Sequence, residues 1–412
     1  MNKSPRLVAL ETLYSIFYDG SYSNIALDKA LSDIKENKAF ISALVYGVTE
    51  RKITLDYFID KYAQGRIKPK VRIVLWLGAY QLLFMDKVPS SASINESVKL
   101  VKEIKQDYYS KLVNAVLHKI DNDRQIPDDL SVKYSVPENL INMWKKQYGE
   151  DILNEFLPCI NDKPPLFAIP NKKFVNSDEL LYELECDGIL GEAYDEFVLI
   201  ENANDLTDSK AFKNGLFYIE DLSSFNCANA LDALGDDLVL DMCSAPGGKA
   251  FTISQSMNNS GKIYCYDLHE HRLNLIKNGA KRLSIDNIYT DVNDATVYNE
   301  NIPKADKILC DVPCSGFGII RRKPEIRYKD LDSVKDLPQI QYKILETSSR
   351  YLKDGGRIIY STCTLNKKEN ENVVNKFLKD HSGYKLLKDK TVFPSTVGGD
   401  GFYYAIMVKN EN

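Results

Sequence analysis

Apolar residues recur at helical spacing throughout the first 125 residues of the chain. Leu7, Leu10 and Leu13 share one face of a predicted first helix, and Ser4 and Pro5 supply an N-cap and a proline at its first position. Further helices are predicted at residues 24–31, 40–61, 70–85, 93–104 and 111–121. Because no alternating strand pattern interrupts this series, the pattern predicts an all-α bundle over residues 1–125.

The stretch that follows shows no single period. Residues 126–137 contain two prolines together with Asp and Ser residues, which is typical of a linker. A helix is predicted at residues 140–148, and short alternating runs at 165–169 and 197–199 predict strands. We therefore expect residues 126–215 to form a linker and a small α+β domain.

From residue 216 onward, short apolar runs alternate with amphipathic stretches. The predicted strands are residues 238–242, 262–266, 288–290, 307–310 and 357–360. The predicted helices are residues 249–257, 271–283 and 334–352. This alternation is typical of a parallel sheet covered by helices. It predicts a Rossmann-like α/β domain over residues 216–412, so the chain is expected to be multidomain.

Composition excludes several classes of protein. The chain has 412 residues, of which 44% are hydrophobic and 27% charged, so it can fill packed cores and is not a disordered chain. Its longest apolar stretch, residues 73–85, is shorter than the roughly 20 residues that span a bilayer, and we see no export signal. Eight cysteines without a CxxC pair and four histidines argue for a reducing compartment and against a zinc site. We expect a cytoplasmic protein that uses neither a membrane nor a metal.

Charge is distributed unevenly along the chain. The net charge is −5, but residues 1–125 carry 19 Lys and Arg against 14 Asp and Glu. A second basic cluster, formed by Arg321, Arg322, Lys323 and Arg327, lies within the acidic remainder. Both regions are candidates for contacts with nucleic-acid phosphates. A solvated charged loop is the alternative for the cluster, and a docking domain for another protein is the alternative for the N-terminal bundle.

A glycine-containing loop, Asp-Met-Cys-Ser-Ala-Pro-Gly-Gly-Lys ending at Lys249, follows the first strand of the predicted α/β domain. Its glycines permit a tight turn and close backbone approach to a ligand. The next two strands are followed by Asp267, suited to ribose hydroxyls, and by Asp294, suited to an adenine amino group; a helix cap and a turn are the respective alternatives. The candidate cofactor-binding residues are Cys243, Ser244, Ala245, Pro246, Gly247, Gly248, Lys249, Asp267, Asp294 and Asp311.

Two cysteines follow the last two predicted parallel strands. Asp311-Val-Pro-Cys314 ends one strand, and Tyr-Ser-Thr-Cys363 ends the other, so both thiols are expected at the cofactor edge beside a carboxylate. This set suits methylation of pyrimidine C5, since thiolate attack at C6 makes C5 nucleophilic and a carboxyl group at N3 offsets the developing charge. A base must then remove the C5 proton. Buried packing is the alternative for each cysteine taken singly.

These motifs, with Glu369-Asn-Glu-Asn after the second cysteine, resemble the Sun family of RNA cytosine-C5 methyltransferases. The resemblance implies that Cys363 attacks C6, that Cys314 assists product release, that Asp311 contacts the base, and that the cofactor is S-adenosylmethionine. We further expect Lys249 to lie close enough to Asp311 or Cys363 to favour their charged forms. The sequence departs from the family pattern mildly, for example at Glu220, where Gln is frequent.

The N-terminal half carries a second resemblance. Leu-Val-Tyr-Gly-Val at residues 44–48 and Leu-Gly-Ala-Tyr-Gln-Leu-Leu at 77–83 are similar to the helical domain of the antitermination factor NusB. The combination of the two domains implies an enzyme that methylates one cytosine of 16S rRNA, and we expect a monomer because no dimerisation signature is present. A tRNA cytosine-C5 methyltransferase and a non-catalytic RNA-binding or antitermination module are the alternatives. A DNA methyltransferase is disfavoured, because its Phe-x-Gly-x-Gly loop is absent and Cys363 would have no role.

Overall fold

A computed structural model describes residues 3–202, 206–394 and 398–411 and divides them into two compact units. The first unit contains the described residues up to Asp162 together with Ile320–Lys329. The second contains Lys163–Ile319 and the described residues from Asp330 onward. Each unit is therefore built from two separate stretches of chain, an arrangement that differs from the predicted consecutive division at residues 125 and 215.

The first unit is helical, as the sequence predicts. Its helices are α1 (Pro5–Tyr18), α2 (Ser23–Leu31), α3 (Lys38–Tyr62), α4 (Pro69–Phe84), α5 (Ser90–Glu103), α6 (Ser110–Asn122), α7 (Leu130–Tyr134), α8 (Glu138–Tyr148) and α9 (Glu150–Phe156). Ser4 Oγ accepts a hydrogen bond from the Leu7 amide at 3.2 Å, so the predicted N-cap of α1 is present. Apolar faces of α1 to α6 enclose one core that includes Leu13, Phe58 and Trp76.

The predicted linker packs onto this bundle. The Thr54 hydroxyl in α3 donates to the Val132 carbonyl, and Ser135 Oγ accepts from the Ile53 amide at 2.9 Å. Pro137 directly precedes α8, a position at which proline is compatible with helix initiation. The bundle therefore extends past residue 125 to Asp162, because prolines and short polar residues mark helix starts as well as linkers.

The second unit contains a small antiparallel sheet in the strand order β2–β3–β1–β4. Its strands and helices are β1 (Leu166–Pro170), α10 (Ser177–Cys186), β2 (Gly191–Ala193), β3 (Val198–Ile200), α11 (Lys210–Lys213) and β4 (Phe217–Ile219). This is the expected α+β arrangement. Its last strand lies beyond the predicted boundary at residue 215, since β4 pairs with β1.

A seven-stranded sheet forms the rest of the second unit, in the order β10–β11–β9–β8–β5–β6–β7. Its elements are α12 (Leu222–Asn229), β5 (Leu238–Asp241), α13 (Gly248–Ser256), β6 (Lys262–Asp267), α14 (Glu270–Arg282), β7 (Ile288–Val292), β8 (Ala305–Asp311), α15 (Leu337–Ser349), β9 (Leu352–Thr362), α16 (Glu371–Asp380), β10 (Tyr384–Val392) and β11 (Phe402–Lys409). Strands β5 to β9 are parallel, which confirms the Rossmann-like prediction, whereas β10 and β11 are antiparallel and were not predicted. The chain order reverses between β5 and β8, and α/β sheets bind ligands at the carboxyl ends of strands at such a reversal.

Candidate active site

Two cysteines lie side by side beyond the carboxyl ends of β8 and β9. Asp311, the last residue of β8, is in register with Ser361 of β9, so the two chains leave the sheet at the same level. Cys314 follows β8 and Cys363 follows β9, and their Sγ atoms are 3.3 Å apart. Strand register thus brings together two thiols that are far apart in sequence, as expected from the positions of both cysteines after parallel strands.

Asp311 is held between two side chains. Lys249 Nζ lies 2.8 Å from Oδ2, and Ser361 Oγ donates to Oδ1 at 2.8 Å. Burial lowers the pKa of Lys249, but the carboxylates of Asp311 and Glu220 outweigh burial, so this pKa lies above its ordinary value. The ammonium group therefore stays charged and fixes the Asp311 carboxylate at the mouth of the site.

The surroundings of the Cys314 thiol disfavour its charged form. The hydrogen bond to Cys363 and burial, in that order, raise the pKa of the Cys314 thiol well above its ordinary value. Nearby carboxylates act in the same direction. Cys314 accordingly keeps its proton at neutral pH, so the thiolate, which is the nucleophilic form of cysteine, is disfavoured at this position.

The glycine-containing loop lies between β5 and α13. Gly247 has a φ of 110°, in the left-handed region that a Cβ disfavours, and α13 begins at the next residue. The amide of Ser244 donates to the Tyr266 carbonyl at 2.8 Å, and its hydroxyl donates to the Asp241 carbonyl at 2.8 Å. A cavity of about 210 Å³ adjoins the loop. Its lining includes Cys243, Ser244, Ala245, Pro246, Gly248, Lys249 and Asp311 from the predicted cofactor set.

The other two predicted cofactor carboxylates differ in their surroundings. Asp267 is 3% exposed at the end of β6 and forms an ion pair of 3.0 Å with Arg272, whose Nη2 also donates to the Ala245 carbonyl. Arg272 therefore ties Asp267 to the glycine-containing loop. Asp294 is exposed and accepts hydrogen bonds from the amide and hydroxyl of Thr296. It lies in a turn beside a separate open cavity of about 700 Å³, so its contact with a cofactor stays a prediction.

The predicted basic cluster packs within the first unit. Arg327 is 1% exposed, and its Nη1 donates to the Glu50 carbonyl and to Asn161 Oδ1, each at 2.9 Å. The predicted contact of Arg327 with nucleic-acid phosphates is wrong, because its guanidinium is buried and donates its hydrogen bonds inside the helical unit. Arg321 is also buried, whereas Arg322 and Lys323 are partly exposed, and their RNA contacts stay predictions.

The described part of the chain contains neither a cluster of metal-ligating side chains nor a membrane-spanning helix. Residues 3–202, 206–394 and 398–411 contain no group of three or more His, Cys, Asp or Glu side chains arranged to hold a metal ion. In the same ranges, no helix combines the length and the apolar character needed to cross a membrane.

Similarity to known proteins extends over both units. Residues 228–408 match the family of 16S rRNA methyltransferase RsmB/F, and residues 3–122 match the NusB family. The chain is 33% identical over 443 residues to the probable ribosomal RNA small subunit methyltransferase B of Bacillus subtilis (strain 168), with 98% of this chain and 99% of that protein covered. The chain belongs to the RsmB/F family.

Further relatives agree with membership in the RsmB/F family. The ribosomal RNA small subunit methyltransferase B of Photorhabdus laumondii is 28% identical over 98% of both chains. The crystal structure of PH0851 has a TM-score of 0.83 at 27% identity and covers 99% of this chain and 100% of its own. NSun6 from Pyrococcus horikoshii, solved with SFG, has a TM-score of 0.61 at 21% identity over 67% of this chain and 99% of its own, a likeness of fold.

The cofactor of this RsmB/F methyltransferase is S-adenosylmethionine, and the cavity beside the glycine-containing loop fits it. Asp241 is 1% exposed, and neither of its carboxylate oxygens has a hydrogen-bond partner among the described residues. Burial, and then the charge of Asp311, raise its pKa to about 7. An ammonium group such as that of the methionine moiety would supply the missing partner. Asp267 ends the neighbouring strand but does not line this cavity, so its contact with the cofactor ribose stays a prediction.

Two residues of this site were not predicted. Asp241 was seen as the start of the loop motif but was not assigned to the cofactor, although it ends the first parallel strand as Asp267 and Asp311 end later ones. Glu220 lines the same cavity, accepts a hydrogen bond from Thr252 Oγ1 at 2.7 Å, and has a pKa raised to about 7 by burial. It follows β4 of the small sheet, and the sequence analysis notes it as a departure from the family pattern without assigning it a role.

Proposed function

We propose that the chain methylates C5 of a cytosine in 16S rRNA through a covalent bond between Cys363 Sγ and C6 of the base. The observation that carries this proposal is the contact of 3.3 Å between Cys314 Sγ and Cys363 Sγ beside Asp311. A site that only bound RNA would need neither two apposed thiols nor a charged lysine that fixes the neighbouring carboxylate.

The first step is addition of Cys363 to the pyrimidine ring. Its Sγ lone pair forms a bond to C6, and the electron pair of the C5–C6 double bond moves so that C5 becomes nucleophilic. Asp311 orients the base at N3 and is itself held by Lys249 and Ser361, and the ammonium of Lys249 offsets the negative charge that develops on the ring. When S-adenosylmethionine is bound, it supplies an electrophilic methyl group to C5 of the base.

The second step returns the ring to an aromatic state. Cys314 accepts the proton from C5, directly or through water, the electron pair re-forms the C5–C6 bond, and Cys363 leaves as a thiolate. The chief cause of the raised Cys314 pKa is its contact with Cys363. Once Cys363 is bonded to C6, that cause is gone, so the pKa of Cys314 falls and its thiol releases its proton to water at the stage that needs a base.

The substrate is proposed from the family and from the relatives named as small-subunit rRNA methyltransferases. The NusB-like half, with its excess of basic residues, and the partly exposed Arg322 and Lys323 are proposed RNA contacts. The same relatives support action in the cytoplasm, where ribosomal RNA is assembled. We propose a monomer, which light scattering on the purified chain tests.

The decisive experiment is a denaturing gel of protein incubated with S-adenosylmethionine and labelled 16S rRNA, with tRNA in parallel. Cys314→Ala is expected to accumulate a protein–RNA adduct, because the C5 proton is not removed. Cys363→Ala is expected to form none. Cys186→Ala, which alters an exposed cysteine outside the site, is the matched control and should behave as the wild type.

Other outcomes would contradict specific parts of the proposal. An adduct with Cys363→Ala and none with Cys314→Ala would make Cys314 the nucleophile. An adduct on tRNA alone would keep the chemistry and refute the ribosomal substrate. No methyl transfer to either RNA by the wild-type protein would support the non-catalytic alternative.

A further inference from the structure

A buried carboxylate, Glu369, lies beneath the two cysteine loops. It is 0% exposed and accepts four hydrogen bonds. The donors are the Ser315 amide at 2.8 Å, the Ser315 hydroxyl at 2.6 Å, Asn366 Nδ2 at 2.8 Å and Gln341 Nε2 at 2.9 Å. An ionised carboxylate has about four lone-pair sites, so this set of donors matches its capacity.

These hydrogen bonds connect directly to both thiols. Ser315 follows Cys314 in sequence, and Thr364 follows Cys363. The hydroxyls of Ser315 and Thr364 are 2.7 Å apart. Since the Ser315 proton is given to Glu369, Thr364 must be the donor in this contact. Thr364 thus donates to Ser315, and Ser315 donates to Glu369. This chain of hydrogen bonds joins the residue after Cys363 to the residue after Cys314.

Further bonds fix the same two loops. Gln341 Nε2 also donates to the Pro313 carbonyl at 3.0 Å, immediately before Cys314. The neighbour of Glu369, Asn370, donates to the Thr364 carbonyl at 2.9 Å and accepts from the Thr362 hydroxyl at 2.6 Å. Asn370 therefore holds the residues on both sides of Cys363, whereas Cys314 lies between Pro313, held by Gln341, and Ser315, held by Glu369.

We propose that Glu369 is a positioning residue for catalysis, which keeps Cys314 Sγ and Cys363 Sγ adjacent by tying their two loops to one buried carboxylate. The proposal deepens the proposed function and rests on it. It assigns a role to the Glu369-Asn-Glu-Asn motif, which the mechanism above does not use.

The charge of Glu369 is part of this role. A buried ionised carboxylate is costly unless it is fully hydrogen-bonded, and its removal leaves buried donors without an acceptor. The groups that face Cys314 are Cys363, Asp311, Glu369 and the buried Tyr360 hydroxyl. Glu369 is one of the negative charges that raise the Cys314 pKa and so keep the proton on that thiol.

The first test measures thiol proximity without RNA or cofactor. Diamide oxidises two adjacent thiols to a disulfide; the thiols lose two electrons and two protons, which reduce the azo bond of the reagent. In Glu369→Gln, an amide NH₂ replaces one acceptor oxygen and faces donors. The rate of Cys314–Cys363 disulfide formation is measured by peptide mass spectrometry. We expect this rate to fall about tenfold or more, because the loss of one charge-assisted hydrogen bond corresponds to about that factor.

The second readout is steady-state methyl transfer to 16S rRNA. Glu369→Gln should lower kcat by about the same factor with little change in KM, because the carboxylate acts on the thiols and not on RNA binding. Glu371→Gln is the matched control. It removes a carboxylate two residues away that accepts from the Thr391 hydroxyl at 3.4 Å and, within the described ranges, bonds to neither cysteine loop, so it should keep wild-type values for both measurements.

A disulfide rate within about twofold of the wild type in folded Glu369→Gln would overturn the proposal. If Glu369→Gln does not fold, Ser315→Ala tests the proposal instead, because it removes only the hydroxyl that bonds to Glu369 and Thr364. A smaller slowing in the same direction is expected, and wild-type rates would overturn the proposal. Slow disulfide formation in the variant together with no RNA methylation by the wild type would refute the proposed function but leave the positioning of the thiols intact.

Discussion

Replacing Arg327 by Met is expected to destabilise the helical unit strongly. The guanidinium donates at 2.9 Å to the Glu50 carbonyl and to Asn161 Oδ1, and it lies 3.2 Å from the Ser135 carbonyl. Burial lowers the pKa of Arg327 below its ordinary value, but an arginine keeps its charge at neutral pH. Methionine fills a similar stem volume and supplies no donor.

The size of the destabilisation follows from the buried oxygen atoms that lose their hydrogen-bond donor. A hydrogen bond from a charged donor contributes roughly 1.5–3 kcal/mol, and two good bonds plus a longer one are lost together. Such losses are not additive, and removal of one partner from a buried charged network typically costs about 3–5 kcal/mol. We therefore expect the free energy of unfolding of the helical unit to fall by about 3–5 kcal/mol.

Tryptophan fluorescence during urea unfolding measures this change selectively. The chain contains two tryptophans, Trp76 and Trp144, and both are buried in the helical unit. Lys323→Met is the matched control, since it removes one positive charge from the same segment and loses a contact 5.7 Å from the Tyr22 ring. It should change stability by less than about 1 kcal/mol. If Arg327→Met unfolds at the same urea concentration as the wild type and binds RNA more weakly, Arg327 contacts RNA and does not stabilise the helical unit.

Three further changes test the catalytic unit. Lys249→Met leaves Asp311 without its ion pair, so methyl transfer should fall by about tenfold or more and the acid limb of the pH–rate profile should move to higher pH. Asp241→Asn should be more stable than the wild type at pH 8 by up to about 4 kcal/mol. Folding raises the pKa of Asp241 from 3.8 to about 7, so the stability of the wild type falls as the pH rises between those values. Gly318→Ala would place a Cβ 1.9 Å from the Gly401 carbonyl oxygen, so it should reduce turnover by shifting the Cys363 loop.

Each of these expectations has its own check. An unchanged pH–rate profile would remove Lys249 from the role assigned to it. The stability gain of Asp241→Asn should shrink steadily in unfolding experiments from pH 8 towards pH 4, and a gain independent of pH would contradict the sign of the effect. Gly383→Ala is the control for Gly318→Ala, because a Cβ at Gly383 has no neighbour within 4 Å and turnover should be unchanged.

The reactive part of the site was predictable from the sequence for a topological reason. Asp311, Cys314 and Cys363 each follow a short apolar run, and the carboxyl ends of parallel strands must meet at one edge. Lys249 was predictable from its place at the start of the helix after the glycine-containing loop. In these cases a local pattern and the sheet topology together determine where the side chain goes.

Other features depend on partners that are distant in sequence. The charge of Arg327 is visible in its motif, but the carbonyl of Glu50 that receives its hydrogen bond is not, so the cluster was interpreted as exposed. Strand β10 is rich in lysine and largely exposed, and it gives no apolar run to recognise. Glu220 reaches the cofactor cavity from the small sheet, which no spacing rule connects to the parallel strands.

The discontinuous helical unit has a consequence for synthesis. A ribosome makes the N-terminal helices first, but Arg327, which donates to the carbonyls of Glu50 and Ser135, is made only after strands β5 to β8 and Cys314. The bundle therefore reaches its final packing late, when most of the catalytic sequence has already emerged. A nascent chain that stops near Asp162 ends with buried carbonyls that lack their donor, so truncated products would be unstable and open to proteolysis.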